Sequence, residues 1–464
     1  MAQPNPPTPG KMEQLQNTGK KAAEQMKDIA GETGAKLKNL LSNNDTGANP
    51  GKLSDNQIKN QKMEGQVLFF TFLFIGILAF VGLVFVSKTF RVYTTLNKLE
   101  MYRSNEINQK SIIDTYQGSL NGHKLRDFYV ASAYRPYVCH YHKYDYCSLE
   151  VFREVLRAGP RFIELEIFND SFSVDVEPVV STGTEDGDWK FSLNTLKLED
   201  VLKVIAGTVF NVKYVDKLFK DPFIIYLNLK VNRNVICLEK IHKYIYNILG
   251  QYLLGLSYAF NSNRDNSSFQ DITLDKIEKK IVIMASSGFE GSPLEEIVNY
   301  STISNHTLEN NPTQYRIMYM KNGDIVEKDE DIEEYSNTTF FKITSNNLKD
   351  YNRCGFTILS PDSEDSNGFF EGITPSNPEP SRGLEAGCQF IMMNYQRIDT
   401  NMSNYTYIFK DSSFVLKAES LRDPDDQSSC TRKFSSIKTQ RIEHTKNELN
   451  YTYATPKDQL PEND

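Results

Sequence analysis

The chain has 464 residues, enough for one large domain or two ordinary ones with extensions. Its net charge of -8 is uneven, because residues 1–66 carry nine Lys against seven Asp and Glu, which leaves a net charge of -10 on the remainder. Proteins that bind nucleic acid present basic patches, so this acidic body argues against nucleic acid as a partner. It also argues against a surface built to dock on anionic lipid.

The N-terminal tail, residues 1–66, is polar and begins with a Pro-rich stretch. Within residues 12–41, apolar side chains recur three or four positions apart, which is typical of an amphipathic helix on a membrane surface or partner protein. Three glycines in the same stretch weaken a helix, so a mostly disordered tail is an equal alternative. Residues 42–60 are predicted to be a linker.

A transmembrane helix is predicted at residues 67–87, VLFFTFLFIGILAFVGLVFVS. These 21 residues contain no charge and are long enough to cross a hydrocarbon core of about 30 Å. A buried helix of a soluble protein is rarely apolar on every face over this length. A cleaved signal peptide is disfavoured, since 66 residues precede the segment and no small-residue cleavage site follows it. We therefore predict a single-pass anchor in the lipid bilayer.

The orientation of this anchor rests on opposing signals. Four Lys and Arg residues flank the span on its C-terminal side and three on its N-terminal side, which slightly favours a cytoplasmic C-terminal domain. All six cysteines lie after the span, which suits an oxidising compartment. Eight N-x-S/T sequons also follow it, at Asn169, Asn266, Asn299, Asn305, Asn337, Asn401, Asn404 and Asn450. These counts favour a lumenal or extracellular glycoprotein over a cytoplasmic one.

An α/β fold is predicted for the body of the chain. After a juxtamembrane stalk at 88–124 with a short helix within 91–116, apolar runs at 162–167, 223–229, 281–284 and 390–395 have strand length. Amphipathic stretches at 149–157, 198–206 and 236–253 have helical spacing. This alternation over some 300 residues predicts a TIM-like (β/α)-barrel. We expect its first half at 125–301, a linker at 302–350, its second half at 351–422 and a polar tail at 423–464.

Several segments, in order along the chain, carry a family resemblance. The first half has SAYRPY at 132–137, CSLEVFREVLRAGPRFIELEIFND at 147–170, PVVSTG at 178–183 and PFIIYLNLKV at 222–231. The second half has GCQFIMMNYQ at 387–396 and FVLK at 414–417, after matches at 280–284 and 294–300. Together they resemble both halves of the catalytic barrel of the phosphoinositide-specific phospholipases C. The resemblance implies that barrel fold and hydrolysis of a phosphodiester in an inositol lipid.

The resemblance also implies a site with two histidines, a calcium ion on four oxygen ligands and cationic groups that hold the headgroup. In this chain Tyr134 stands at the first histidine position, and Thr182 or Ser181 at the second. Of the calcium ligands, Glu164 and Glu166 remain. The other two ligand positions hold Arg135 and Asn228, and the headgroup positions hold Met284, Ser286, Ile358 and Ser360. The chemistry of the family therefore has no intact acid or base here.

Arg135 supports a sharper hypothesis. Without calcium, Glu164 and Glu166 would be paired like charges, which is costly in a buried site. We predict that Arg135 replaces the metal by pairing with these glutamates, so that the barrel needs no calcium or other cofactor. The alternative is that Arg135 points to solvent and one glutamate is protonated.

A second cluster comprises Cys139, His140, His142 and Cys147. These four residues could bind zinc, although their spacing is not a usual finger pattern. A Cys139–Cys147 disulfide is expected if the domain is lumenal, and free thiols if it is cytosolic. His140 or His142 could serve as a substitute base only after a loop rearrangement.

The leading functional prediction is a membrane-anchored pseudoenzyme, a binding or structural module for an unknown protein, lipid or glycan ligand. One alternative is a divergent phosphodiesterase acting on an inositol lipid or another glycerophospholipid. Another is a structural envelope or coat protein that reuses the barrel as a building block.

Overall fold

The computed structural model describes residues 55–104, 110–115, 122–171, 173, 175–184, 187–260, 272–302, 316–327, 343–362 and 376–422. The predicted amphipathic helix at 12–41 and the polar tail at 423–464 lie outside these residues. The chain divides into two units, residues 1–83 and 84–464.

The strands, in chain order, are β1 Phe128–Val130, β2 Ser132–Ala133, β3 Phe162–Asn169, β4 Pro178–Val180, β5 Leu196–Lys197, β6 Phe223–Lys230, β7 Ile281–Ala285, β8 Tyr300–Thr302, β9 Arg316–Lys321, β10 Ile325–Val326, β11 Ile343–Thr344, β12 Phe356–Ser360, β13 Phe390–Met393 and β14 Phe414–Leu416. The α-helices are α1 Asp55–Ser104, α2 Ile112–Thr115, α3 Leu149–Arg157, α4 Leu198–Thr208, α5 Val212–Val215, α6 Val235–Leu249, α7 Ser345–Asn352, α8 Pro380–Glu385 and α9 Thr400–Ile408.

Eight parallel strands close into a barrel, in the order β2, β3, β6, β7, β8, β9, β12 and β13, and β13 pairs with β2 to complete the ring. The (β/α)-barrel predicted from the sequence is confirmed. Two antiparallel additions lie outside the ring: β4 and β5 extend the end of β3, and β1 pairs with β14.

The core has two layers because successive side chains of a strand point to opposite faces. Along β3, Phe162 points into the barrel, whereas Ile163 and Leu165 pack outward against the helices. Stacked rings fill the interior, with the centroid of Phe162 4.4 Å from that of Phe390. The barrel is therefore a packed core, and a site is left only where the strands end.

Helix α1 contains the predicted membrane span. Among the described residues, its segment Gly65–Tyr102 is long and apolar enough to cross a membrane, and its most apolar part has no buried residue. The helix begins inside the predicted linker and continues without a break past residue 87. In the second unit its last turns pack on the barrel, where Thr95 Oγ1 donates to the Cys139 carbonyl at 2.7 Å and Tyr102 Oη to that of Tyr395 at 2.9 Å. The stalk helix expected within 91–116 is therefore, as far as residue 104, the continuation of the membrane helix.

The prediction of a linker at 302–350 was also wrong. It contains β9, which pairs with β8 on one side and β12 on the other, as a full member of the ring. Its sequence RIMYMK has basic residues at both ends and no β-branched run, so the strand pattern was weak. Its neighbours in the barrel supply the pairing that the local sequence does not indicate.

Candidate functional site

Strand β3 places the two glutamates at the carboxyl end of the barrel. Glu164 and Glu166 lie two residues apart and therefore point to the same side, toward the barrel axis. On the next strand, β6, Tyr226 is the register partner of Glu164 and Asn228 is that of Glu166. Glu164 is fully buried and Glu166 is 3% exposed, so both carboxyl groups lie in a medium where an unpaired charge is costly.

Arg135 lies two residues after the end of β2 and supplies a cation to this site. Its Nη2 donates to Glu166 Oε1 at 2.7 Å, and its guanidinium lies 4.9 Å from the ring centroid of Tyr134. Arg135 has a φ of 43°, a left-handed conformation that non-glycine residues rarely adopt. Burial by itself lowers the pKa of Arg135, but Glu166 and the neighbouring tyrosines outweigh it, so the pKa is raised and the guanidinium stays charged.

Glu164 has different partners. Its Oε1 accepts from Asn228 Nδ2 at 2.9 Å and from the Tyr319 hydroxyl at 3.2 Å, whereas its Oε2 is buried without a hydrogen-bond partner. Burial, followed by the charge of Glu166, raises the pKa of Glu164 to about 7. The buried pair thus holds one proton more readily than isolated carboxyl groups would.

His142 lies in the same site, and no loop rearrangement is needed to bring it there. Its Nδ1 is 3.4 Å from Arg135 Nη1, and its Nε2 is 3.3 Å from Asn394 Nδ2. Burial and then Arg135 lower the pKa of His142 well below its ordinary value, so the ring is neutral at pH 7. A guanidinium and an amide nitrogen can both only donate, and a neutral imidazole has one acceptor nitrogen, so the ring accepts a hydrogen bond from either Arg135 or Asn394 and not from both.

The loop before α3 explains the position of His142. The Asp145 carboxylate accepts from the backbone N–H groups of Tyr141 and Tyr146 at 2.9 and 2.8 Å, which folds the loop back on itself. Thr182 Oγ1 then donates to the His142 carbonyl at 2.7 Å. The residue at the second histidine position therefore holds the backbone of a histidine supplied by another loop.

The remaining predicted positions also lie at the carboxyl end. The Tyr134 ring is 5.3 Å from that of His142, and the Ser181 carbonyl accepts from the Tyr137 hydroxyl at 2.8 Å. Met284 and Ile358 are fully buried inside the barrel. Ser286 Oγ accepts from the Leu229 N–H at 2.8 Å, and Ser360 Oγ donates to the Met320 carbonyl at 3.1 Å. Both hydroxyl groups thus bond the barrel's own backbone.

Cys139 and Cys147 are free, buried thiols, so the disulfide expected for a lumenal domain is not formed and the alternative expected for a cytosolic domain is observed. Cys147 pairs across an antiparallel bridge with Val138, not with Cys139, so the two cysteine side chains lie on opposite faces of this ladder. The structure also does not support a zinc site at Cys139, His140, His142 and Cys147. Within the described ranges, no group of three or more His, Cys, Asp or Glu side chains could hold a metal ion.

Sequence reasoning did not find Tyr319 and Asn394, and it assigned His142 to the site only conditionally. Tyr319 lies on β9, the strand within the predicted linker, and its hydroxyl reaches Glu164 across the barrel. Asp145 could have indicated that the loop carrying His142 is tightly folded, because Asp side chains commonly accept hydrogen bonds from the backbone of turns.

Comparison with known protein families gives a match over part of the chain. Residues 122–287 match the model of the phosphatidylinositol-specific phospholipase C X domain, which covers β1 through β7. The barrel is therefore phospholipase C-like over these residues, which make up less than half of the chain. No curated protein matches the chain.

Solved structures similar to the chain include PLC21 from L. pealei, with 19% identity, a TM-score of 0.48, and coverage of 66% of this chain and 38% of that one. A calcium-dependent phosphoinositol-specific phospholipase C from Pseudomonas sp has 10% identity and a TM-score of 0.37, over 60% of this chain and 94% of that one. The chain thus spans well under half the length of PLC21.

The residues of this barrel do not fit a calcium ion. Calcium takes six to eight oxygen ligands. Here Glu166 is engaged by Arg135, and Asn228 directs its Nδ2 toward Glu164. A guanidinium 2.7 Å from one carboxylate lies where a second cation would be repelled.

Proposed function

We propose that this chain is a membrane-anchored pseudoenzyme, in which an X-domain barrel serves as a binding or structural module without turnover. One observation carries the proposal: the Arg135 guanidinium contacts both Glu166 and His142. It thereby engages the carboxylate and the imidazole that could otherwise transfer a proton.

The charge of the guanidinium also works against acid catalysis by His142. A general acid must be protonated before it can donate, and a buried cation next to Arg135 is penalised by desolvation and by repulsion. A general base needs a free lone pair, yet Nδ1 faces the guanidinium. The positions of the family histidines hold Tyr134 and Thr182, and a phenol and an alcohol are both poor bases at pH 7.

The test is hydrolysis by the full chain reconstituted in phosphatidylcholine vesicles that contain phosphatidylinositol and its 4,5-bisphosphate. We expect no release of water-soluble inositol phosphate above the protein-free blank, with calcium or with a chelator. The His142→Ala variant and the His242→Ala variant, which changes a histidine of α6 outside the site, should give the same blank values.

A divergent phosphodiesterase is the second candidate, and the position of His142 in the site favours it. In that case the wild type would release inositol phosphate, His142→Ala would abolish the release, and His242→Ala would retain it. That pattern would overturn the pseudoenzyme proposal.

We further propose that α1 crosses the membrane once and that the barrel lies on the lumenal or extracellular side. The disulfide bond of Cys354 supports this orientation, because disulfides persist in oxidising compartments and are rare in the cytosol, whereas the free thiols of Cys139 and Cys147 favour the cytosolic side. On that side the ligand would be a protein, lipid or glycan of the same compartment.

A further inference from the structure

We propose that Asn404 carries an N-linked glycan. The inference rests on the lumenal orientation proposed above and goes beyond it by assigning the modified residue. Four of the eight sequons have their asparagine among the described residues: Asn169, Asn299, Asn401 and Asn404. Their surroundings differ in ways that decide which amide nitrogen is available.

The first of these, Asn299, is built into the barrel. It is 3% exposed, its Oδ1 accepts from the Ile283 N–H at 2.8 Å, and its Nδ2 donates to the Tyr258 carbonyl at 3.0 Å. A glycan on Nδ2 would break the hydrogen bond to the Tyr258 carbonyl, and the sugar would not fit because Asn299 is buried among packed residues. A folded, glycosylated Asn299 is therefore excluded.

Two others are partly buried and already use their amide nitrogens. Asn401 Nδ2 donates to the Asn377 carbonyl at 2.8 Å, which ties the first turn of α9 to the segment before α8. Asn169 Nδ2 donates to the Val231 carbonyl at 3.4 Å. Attachment of a sugar at either residue would break a contact between two segments of the barrel.

Asn404 has neither constraint. It is exposed in the middle of α9, on the face that also presents Ser403 and Tyr407, while Met402 and Tyr405 of the same helix are buried. Within the part of the chain that the structure describes, its amide makes no hydrogen bond. The Thr406 hydroxyl, two residues on as the sequon requires, is also at the surface and donates to the Ser403 carbonyl at 2.9 Å.

The reaction is a transfer from a polyprenyl-diphosphate-linked oligosaccharide. Asn404 Nδ2 forms a bond to the anomeric carbon of the first sugar and loses a proton, the bond from that carbon to the diphosphate oxygen breaks, and the polyprenyl diphosphate leaves. No oxidation or reduction is involved. The donor exists on the lumenal side of the secretory pathway, which is why the modification reports the orientation of α1.

The test is peptide mapping by mass spectrometry of the full chain expressed in eukaryotic cells, before and after digestion with an amidase that releases N-glycans. We expect the peptide that contains Asn404 to carry a glycan, and Thr406→Ala to remove it. Ser403→Ala is the matched control, because it destroys the neighbouring sequon at Asn401 and also removes one hydroxyl group from α9. It should leave the glycan in place.

Two results would overturn the inference, and they can be told apart. Glycans on other sequons with an unmodified Asn404 would refute the choice of residue and leave the orientation standing. A chain without glycans whose barrel is digested by trypsin added to the outside of sealed microsomes would refute the orientation as well. Neither result would bear on catalysis, which the vesicle assay measures separately.

Discussion

The Arg135–Glu166 ion pair gives the sharpest prediction, made by changing Arg135 to Met. At a separation of 2.7 Å the gross attraction is about 6 kcal/mol for an effective dielectric constant of about 20. Desolvation of the two groups offsets much of it while both are present. Removal of the cation leaves Glu166 buried beside Glu164 without a counter-ion, and this should lower the free energy of unfolding by about 3–5 kcal/mol.

The measurement is urea unfolding of the full chain in detergent micelles, followed by circular dichroism. Tryptophan fluorescence is a poor probe because Trp189, the single tryptophan, is 71% exposed. Arg157→Met is the matched control: its pair with Glu154 has the same 2.7 Å separation, but the two side chains are 20% and 21% exposed. The pair is partly buried and joins neighbouring turns of one helix, where an ion pair contributes about 0.5 kcal/mol.

A double variant, Arg135→Met with Glu166→Gln, separates charge from packing. It removes both charges, so it should recover part of the stability lost by the single variant. The reasoning is refuted if Arg135→Met costs no more than Arg157→Met, or if the double variant is as unstable as the single one. The first outcome would place the ion pair in a well-hydrated environment, and the second would assign the lost stability to the packing of Arg135.

Three further predictions concern the same domain. Folding raises the pKa of Glu164 from 4.5 to about 7, so its contribution to the free energy of unfolding is fully present below about pH 4.5 and is lost as the pH rises through about 7. Glu164→Gln should remove this pH dependence, which amounts to about 3 kcal/mol over that range. A thermal stability profile that is unchanged in the variant would contradict the shift. Micromolar calcium should leave the wild-type melting temperature unchanged, whereas a clear rise would disprove the replacement of the metal by Arg135. Ser148→Ala should cost about 1 kcal/mol in urea unfolding, because its Oγ accepts from the Val151 N–H at the start of α3, and no loss would show that the cap is dispensable.

Local sequence patterns predicted much of the fold. The alternation of apolar runs and amphipathic stretches identified β3, β6, β7 and β13, and the predicted bounds of α3 agree with the structure. Each of these elements is long or strongly periodic, so its sequence pattern matches the side chains that it buries in the structure. Strand β9 was missed because its place in the ring depends on β8 and β12, which are distant in sequence.

The sequence by itself determined that α1 contains a segment apolar enough to cross a membrane and that Glu164 and Glu166 share a face. A charge-free run and a two-residue period are local properties, independent of the rest of the chain. Only the tertiary structure decided what faces those glutamates. His142 reaches them through a loop folded by Asp145, and Tyr319 reaches them from across the barrel. Such contacts depend on ring closure and loop conformation, which no local pattern encodes.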